Sequence, residues 1–485
     1  MSTTADSDRI SRATRVLAAG RVPGLVIAFA IPLVLARVFD QTEFGTYKQL
    51  FLIYATLFGL AQLGMAESLY YFVPLCPAQA GRHVANALVG LVTIGLGCVL
   101  VLVAASDHIA TWLTNPALAG HLVPLSGFLA LMLTSAVLEI VLMSRRRNTA
   151  AAWAYVTSDI VRAACFVVPA AIGWGLHGVL AGAALFAAVR LAATLIVLWR
   201  EYGSELRVDL PVLRRQLAYA LPFALAVGIE VVHLNWHQYA VAARFDAAAF
   251  AIYAVGCLQI PVVDLIVSST VNVMMVEMSA ARERGVADAL RLWHDTIGRL
   301  SFMIFPIAAF LVLMAHEIIV VLFTATYEAS VSIFMLWSLT ILAAVLAVDG
   351  VLRAFAQTRY LVAQNVVHLA IVAALVGPFL TYFGLGGAVL VTLLATAVVK
   401  TMAVRRISRL MGVRASHALP WKQLATAAVC ASVALVPTFF IAKAGTLPPL
   451  VALVLGASTY GLTYAALYYT AGRRRRAAVL DTVTI

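Results

Sequence analysis

Charge is scarce in this chain. Only 12% of its 485 residues are Asp, Glu, Lys or Arg, and 63% are hydrophobic; a soluble domain runs to about 25% charged. A soluble protein of this length would form about three domains, each needing polar cover, and the side chains for that cover are missing. Long polar segments are missing too. No gap between apolar runs exceeds roughly 25 residues, which leaves no room for an extramembrane catalytic domain. The five cysteines (Cys76, Cys98, Cys165, Cys257, Cys430) lie in or beside apolar runs. They have neither metal-ligand spacing nor the even count of a disulfide framework. No Gly-rich Lys-Ser/Thr phosphate loop occurs, so the chain has no ATPase of its own. The formal charge of +12 would suggest nucleic acid in a soluble protein, but here no soluble face carries it. The first fifteen residues are polar and the apolar run after them is long enough to span, so it reads as an uncleaved first helix.

What the chain does have is a succession of apolar stretches ~20 residues long, the length a helix needs to cross ~30 Å of hydrocarbon. The pattern predicts an all-α, polytopic membrane protein. Fourteen spans are expected near 16–37, 47–73, 84–105, 117–143, 151–173, 176–199, 214–241, 248–276, 296–323, 329–356, 360–382, 385–404, 421–441 and 447–470. An even number puts both termini on one side, and the basic residues say which. With a cytoplasmic N-terminus, 26 of the 34 Lys and Arg fall in inner segments, including Arg145–Arg147 and the tail Arg473–Arg476. Only Arg37, Lys48, Arg244 and Lys443 lie at outer ends. Cytoplasmic loops retain Lys and Arg, and these clusters read as anchors facing anionic membrane lipids.

The chain also repeats itself. Phe39-Asp40-x3-Phe44-x2-Tyr47 recurs 206 residues on as Phe245-Asp246-x3-Phe250-x2-Tyr253, and Gly175-Leu176-x-Gly178 recurs 209 on as Gly384-Leu385-x-Gly387. Glu139 and Asp349 are 210 apart, as are Arg190 and Lys400. The shift equals six helices, so the halves run in the same direction. A parallel repeat about an axis along the membrane normal places a substrate path between two lobes. The expected organisation is residues 1–200 as one lobe, 201–415 as the second, and 416–485 as two added helices with a basic tail.

Several of these residues carry a resemblance. The basic N-terminus runs into helix one and the loop Phe39-Asp40-Gln41-Thr42-Glu43-Phe44-Gly45-Thr46-Tyr47. Leu63-Gly64-Met65-x2-Ser68-Leu69, Leu322-Phe323-x3-Tyr327 and Gly384-Leu385-Gly386-Gly387-Ala388 follow. Together they resemble the polysaccharide-transporter branch of the multidrug/oligosaccharidyl-lipid/polysaccharide (MOP) exporter superfamily, which includes bacterial O-antigen-type flippases. The resemblance covers nearly the whole chain. It implies two six-helix lobes working by alternating access in a bacterial cytoplasmic (inner) membrane. It also implies an undecaprenyl-diphosphate-linked oligosaccharide moved from the inner to the outer leaflet for cell-surface polysaccharide biosynthesis. Polymerase or glycosyltransferase machinery would be the protein partner, and no cofactor is implied. One departure stands out: Phe323 is followed by Thr324 where relatives commonly carry glycine.

A charge near mid-bilayer is costly unless it faces protein or water, so each intramembrane charge is a functional candidate. Arg21, beside Pro23 and Gly24, offers a guanidinium fork suited to phosphate oxygens; the alternative is an arginine snorkelling to headgroups. Arg190 is a second candidate of the same kind. Asp159 and Arg162, three apart on one helical face, read as an internal ion pair, with Arg162 and Glu67 also possible substrate contacts. Glu139 and Asp349 are expected to face Arg145 and Arg353, as a structural latch more than a ligand site. Glu230, His233 and His237 share a face of the seventh helix. Their spacing permits zinc but lacks further ligands, so they read as a polar stripe for sugar hydroxyls or a coupling proton. Asp264, one turn after Pro261, is the candidate for ion coupling together with Glu230.

Two rivals remain to the lipid-linked substrate. A multidrug antiporter of the same superfamily would need acidic pockets, and the basic residues in helices one, five and six argue against it. A membrane glycosyltransferase or polymerase would need a sizeable outer loop. The longest here, Ser106 to Gly120, offers only Asp107 and His108, so the chain is not expected to be an enzyme.

Overall fold

The computed structural model describes residues 24–145, 147–443 and 447–483. Those residues form helices and no strands. In chain order they are α1 (Gly24–Val38), α2 (Gln41–Ala61), α3 (Met65–Leu75), α4 (Ala80–Ala104), α5 (Ser106–Trp112), α6 (Leu118–Ser135) and α7 (Val137–Ser144). There follow α8 (Asn148–Ala171), α9 (Gly175–Tyr202), α10 (Leu210–Ala242), α11 (Ala247–Gly256), α12 (Pro261–Arg284), α13 (Val286–Leu313) and α14 (Ala315–Phe323). The last are α15 (Val331–Ser338), α16 (Val348–Ala354), α17 (Thr358–Phe383), α18 (Leu385–Leu410), α19 (Trp421–Lys443) and α20 (Pro449–Val483). Among the described residues, 13 helical stretches are long and apolar enough to cross a membrane, and α1 is a further, shorter apolar helix. The protein is a polytopic, all-α membrane protein.

Five of the expected spans are broken where the sequence pattern reads as continuous, among them the ninth, which passes from α13 to α14 at Met314. The second bends between α2 and α3 at Leu63 (φ 44°) and Gly64 (φ 67°). The fourth is α6 and α7 in series. The eighth splits into α11 and α12 around residues 257–260, before Pro261. The tenth passes from α15 through a 3-10 turn at Leu339–Leu346 to α16, with Ala347 at φ 49°. Hydropathy averages over such breaks because most of the flanking residues are apolar. The helix starts, in contrast, are encoded locally. Asp40, Asp209 and Asp246 each accept a hydrogen bond from the backbone N–H three residues on, at 2.8–3.2 Å, a typical N-cap worth about 1 kcal/mol.

Close packing divides the chain into two compact units, one ending at Ala251 and one beginning at Ile252. In the first, α3, α4, α7, α9 and α10 share a core that includes Met65, Leu69, Val84, Leu91, Val141, Leu198 and Ala220. Lipid tails are as apolar as leucine, so helices associate through close backbone approach at small residues. A Cβ on Gly182 of α9 would collide with the Cys165 carbonyl of α8, and one on Gly45 with the Ala247 carbonyl. The repeat boundary and the packing boundary thus differ, since α10 packs on α2, α3 and α4. His83, Gln216 and Ser68 connect α4, α10 and α3 through buried hydrogen bonds of 3.4 and 2.8 Å.

In the second unit the core centres on Trp293 of α13, fully buried among Met274, Met278, Val348, Val351 and Ile407. Its indole N–H donates to the Leu346 carbonyl at 2.8 Å. That carbonyl precedes the left-handed Ala347, so the indole satisfies an acceptor next to the break, as an apolar setting requires.

Candidate functional site

Within the first unit the intramembrane charges fall into two adjoining groups on α7, α8 and α9. The deeper one is Glu139 with Arg190. Arg190 Nη2 lies 2.7 and 2.8 Å from the two carboxylate oxygens of Glu139. The same guanidinium donates to Ser135 Oγ at 3.1 Å and to Ser158 Oγ. Only 15% of the Arg190 side chain and 4% of Glu139 are exposed. This joins α6, α7, α8 and α9. Glu139 therefore pairs with Arg190 and not with Arg145, which instead meets Tyr202 at 3.3 Å and Glu201 at 3.8 Å. The expectation for Glu139 is corrected by helix geometry: Arg145 lies beyond the end of α7 and turns toward α9. Arg190, a candidate phosphate ligand, is occupied here by protein groups.

The second group is Arg162 with Asp159 on α8, an i,i+3 pair at 2.8 Å as the spacing predicted. Gly24 of α1 abuts the Asp159 carboxylate so closely that a Cβ would overlap it. Arg162 borders a recess of about 160 Å³ lined also by Tyr47, Phe51, Tyr54, Phe128 and Phe166, room for about five waters at ~30 Å³ each. Its Nε is buried and has no hydrogen-bond partner among the described residues. A guanidinium that lines an aromatic-walled recess can meet an anionic oxygen that fits between the rings.

The remaining candidates are dispersed. Arg21 lies outside the described residues. Glu67 is half-buried in the first turn of α3, its Oε2 buried without a partner among the described residues. On α10, Glu230 is exposed, His233 half-buried and His237 buried. Asp264 is exposed in the first turn of α12. Among the described residues no three His, Cys, Asp or Glu side chains gather as a metal site.

The second unit holds a counterpart to the deeper pair. Lys400 Nζ of α18 lies 2.8 Å from Asp349 Oδ2 of α16, so Asp349 has Lys400 as its partner where Arg353 was expected. Composition alone does not show this, yet a signal was present in the numbering. Glu139 and Arg190 are 51 residues apart, and so are Asp349 and Lys400. Two repeat-related acids with two repeat-related cations at one separation point to one paired arrangement built twice. Two further features repeat. Pro169 in α8 and Pro378 in α17 are 209 apart. Thr114 and Thr324, 210 apart, both have positive φ, 49° and 81°. The aromatic recess at Arg162 had no such signal, because its lining comes from α1, α2, α6 and α8 at unrelated spacings.

The protein's fold is that of lipid II flippase MurJ in an inward closed conformation, with a TM-score of 0.73 at 14% identity, covering 94% of this chain and 98% of that one. A multidrug resistance MATE family transporter of the MOP superfamily, inward-facing, gives 0.61 at 14% identity over 80% of this chain and 96% of its own. A MOP superfamily transporter from Pyrococcus furiosus gives 0.56 at 13% identity, over 83% and 95%. No curated protein matches the sequence. The chain belongs to the polysaccharide biosynthesis protein family, whose family model matches residues 34–332, and its fold is that of the MOP exporters.

Proposed function

We propose that this protein is a flippase that moves a polyprenyl-diphosphate-linked oligosaccharide across the cytoplasmic membrane by alternating access, with both termini on the cytoplasmic side. Membership of a polysaccharide biosynthesis family supports a glycan cargo, and the fold shared with a lipid II flippase supports a lipid-linked one. The observation that carries the reading is Arg162, a permanent cation inside a span that lines an aromatic recess. The diphosphate is the chemistry common to all lipid-linked glycans, and arginine stays charged at any relevant pH. Arg21, on the sequence argument, would meet the same diphosphate nearer the cytoplasmic end of the first helix. Glu67, Glu230, His233 and His237 would contact sugar hydroxyls, and Asp264 with Glu230 would carry a coupling ion.

The test is transport of a fluorescent polyprenyl-diphosphate oligosaccharide in proteoliposomes, read by accessibility to an outside lectin. Wild type should flip it, and Arg162→Ala should lose about ten- to a hundredfold, the worth of one charge-assisted hydrogen bond. Arg162→Lys should recover part, since an ammonium lacks the fork. If wild type ignores the lipid but expels lipophilic cations against a proton or sodium gradient, the protein is a multidrug antiporter of the same superfamily. Transport of the lipid by Arg162→Ala at the wild-type rate removes Arg162 from the site.

A further inference from the structure

The two repeat-related ion pairs are built alike but placed differently. Glu139–Arg190 is closed: Glu139 is buried, only 15% of the Arg190 side chain is exposed, and Ser135 and Ser158 add hydrogen bonds to the guanidinium. Asp349–Lys400 is open: 56% of the Asp349 side chain and 21% of Lys400 are exposed, and the pair has one contact. On α16, after the break at Ala347, Val348, Gly350, Val351 and Leu352 turn inward, and a Cβ on Gly350 would press on Val271 and Met274 of α12. Asp349 is left on the outward face, and Arg353, one turn further along α16, is exposed there as well and makes no ion pair among the described residues.

An exposed charge pair inside a span must face water or a polar ligand, because hydrocarbon would penalise it. Exposed pairs are weakly held, so a better anion can take the cation from its carboxylate. Lys400 lies five residues before Arg405 on α18, about 8 Å at 1.5 Å per residue, one and a half turns inside the arginine-rich end. A phosphate entering from that end would meet Arg353 and Lys400.

Resting on the flippase reading above, we infer that Lys400 and Arg353 form a capture site in the second unit for a lipid-borne phosphate, with Asp349 as the resident counterion that the phosphate displaces. No bond is made or broken in the exchange. The carboxylate gives up one hydrogen bond from Lys400, the phosphate oxygen accepts it, and Asp349 is returned to water. When the lipid leaves, Asp349 closes on Lys400 again, so the site never holds an uncompensated ammonium. The buried Glu139–Arg190 pair, which has no such freedom, fixes the helices of the first unit instead.

The experiment uses the full chain in phosphatidylcholine nanodiscs and measures binding of undecaprenyl diphosphate. Lys400→Ala should weaken binding about ten- to a hundredfold, and Lys400→Arg should retain it. Asp349→Asn, which removes the competitor and keeps the cation, should tighten binding up to about tenfold. A second arm replaces the carrier lipid with phosphatidylglycerol; competition should be weak. Equal binding by wild type and Lys400→Ala overturns this inference and leaves the flippase reading standing. Loss of binding in Asp349→Asn as severe as in Lys400→Ala also overturns it, since the intact pair would then be a structural requirement. Efficient displacement by phosphatidylglycerol, lost in Lys400→Ala, would make the site one for resident bilayer lipid and overturn the assignment to cargo. Failure of wild type to bind undecaprenyl diphosphate at all would instead overturn the flippase reading.

Discussion

Arg190 tests whether an intramembrane arginine here holds cargo or holds helices. Its guanidinium serves Glu139, Ser135 and Ser158, which lie on α7, α6 and α8. Arg190→Ala leaves a carboxylate that is 4% exposed without its counter-charge, and breaking a buried pair by removing one partner costs about 3–5 kcal/mol. Two serine hydroxyls lose partners worth about 0.5–1.5 kcal/mol each, though serine can turn back to its own helix, as Ser135 already does toward the Met132 carbonyl. The expected loss is therefore near the lower figure, roughly 3–4 kcal/mol, a large part of the ~5–15 kcal/mol that stabilises a typical native protein. At roughly 2–4 °C per kcal/mol for a unit of this size, detergent-solubilised protein should unfold about 6–16 °C lower by fluorescence-detected size exclusion. Glu139→Gln should cost less, because an amide can still accept from Arg190. Glu139→Leu combined with Arg190→Met removes both charges at similar volume and should recover most of the stability, as apolar replacements of buried pairs commonly do. The reasoning is refuted if Arg190→Ala keeps the wild-type unfolding temperature while transport disappears, which would make Arg190 a cargo ligand.

Three further outcomes are expected. Thr324 sits at φ 81°, ψ 165°, a region that suits glycine, so Thr324→Gly should raise stability by about 1 kcal/mol; its repeat partner Thr114 donates to the Ala242 and Phe245 carbonyls, so Thr114→Gly should lower it, and thermal unfolding of both variants decides. Gly182→Leu should prevent α8 and α9 from closing, since even a Cβ would meet the Cys165 carbonyl, and monodisperse protein at wild-type yield would contradict the packing described. Reporter fusions after Gly120 should read extracytoplasmic and one after Arg147 cytoplasmic; a reversal of either would overturn the orientation taken from the distribution of basic residues.

Much of this architecture is local information, and local information survives in a sequence. The length of each apolar run fixes that a helix spans, because 1.5 Å per residue must cover a fixed slab of hydrocarbon. Asp40, Asp209 and Asp246 announce helix starts because an N-cap acts over three residues. The i,i+3 spacing of Asp159 and Arg162 was enough to pair them. The folded chain decided what depends on rotation and approach. Whether Glu139 turns to Arg145 or Arg190 depends on how α7 and α9 pack, and whether Asp349 is buried or open depends on which face of α16 turns inward. The recess beside Arg162 draws its walls from four helices, and only their close packing brings Tyr47, Phe128 and Phe166 to the same arginine.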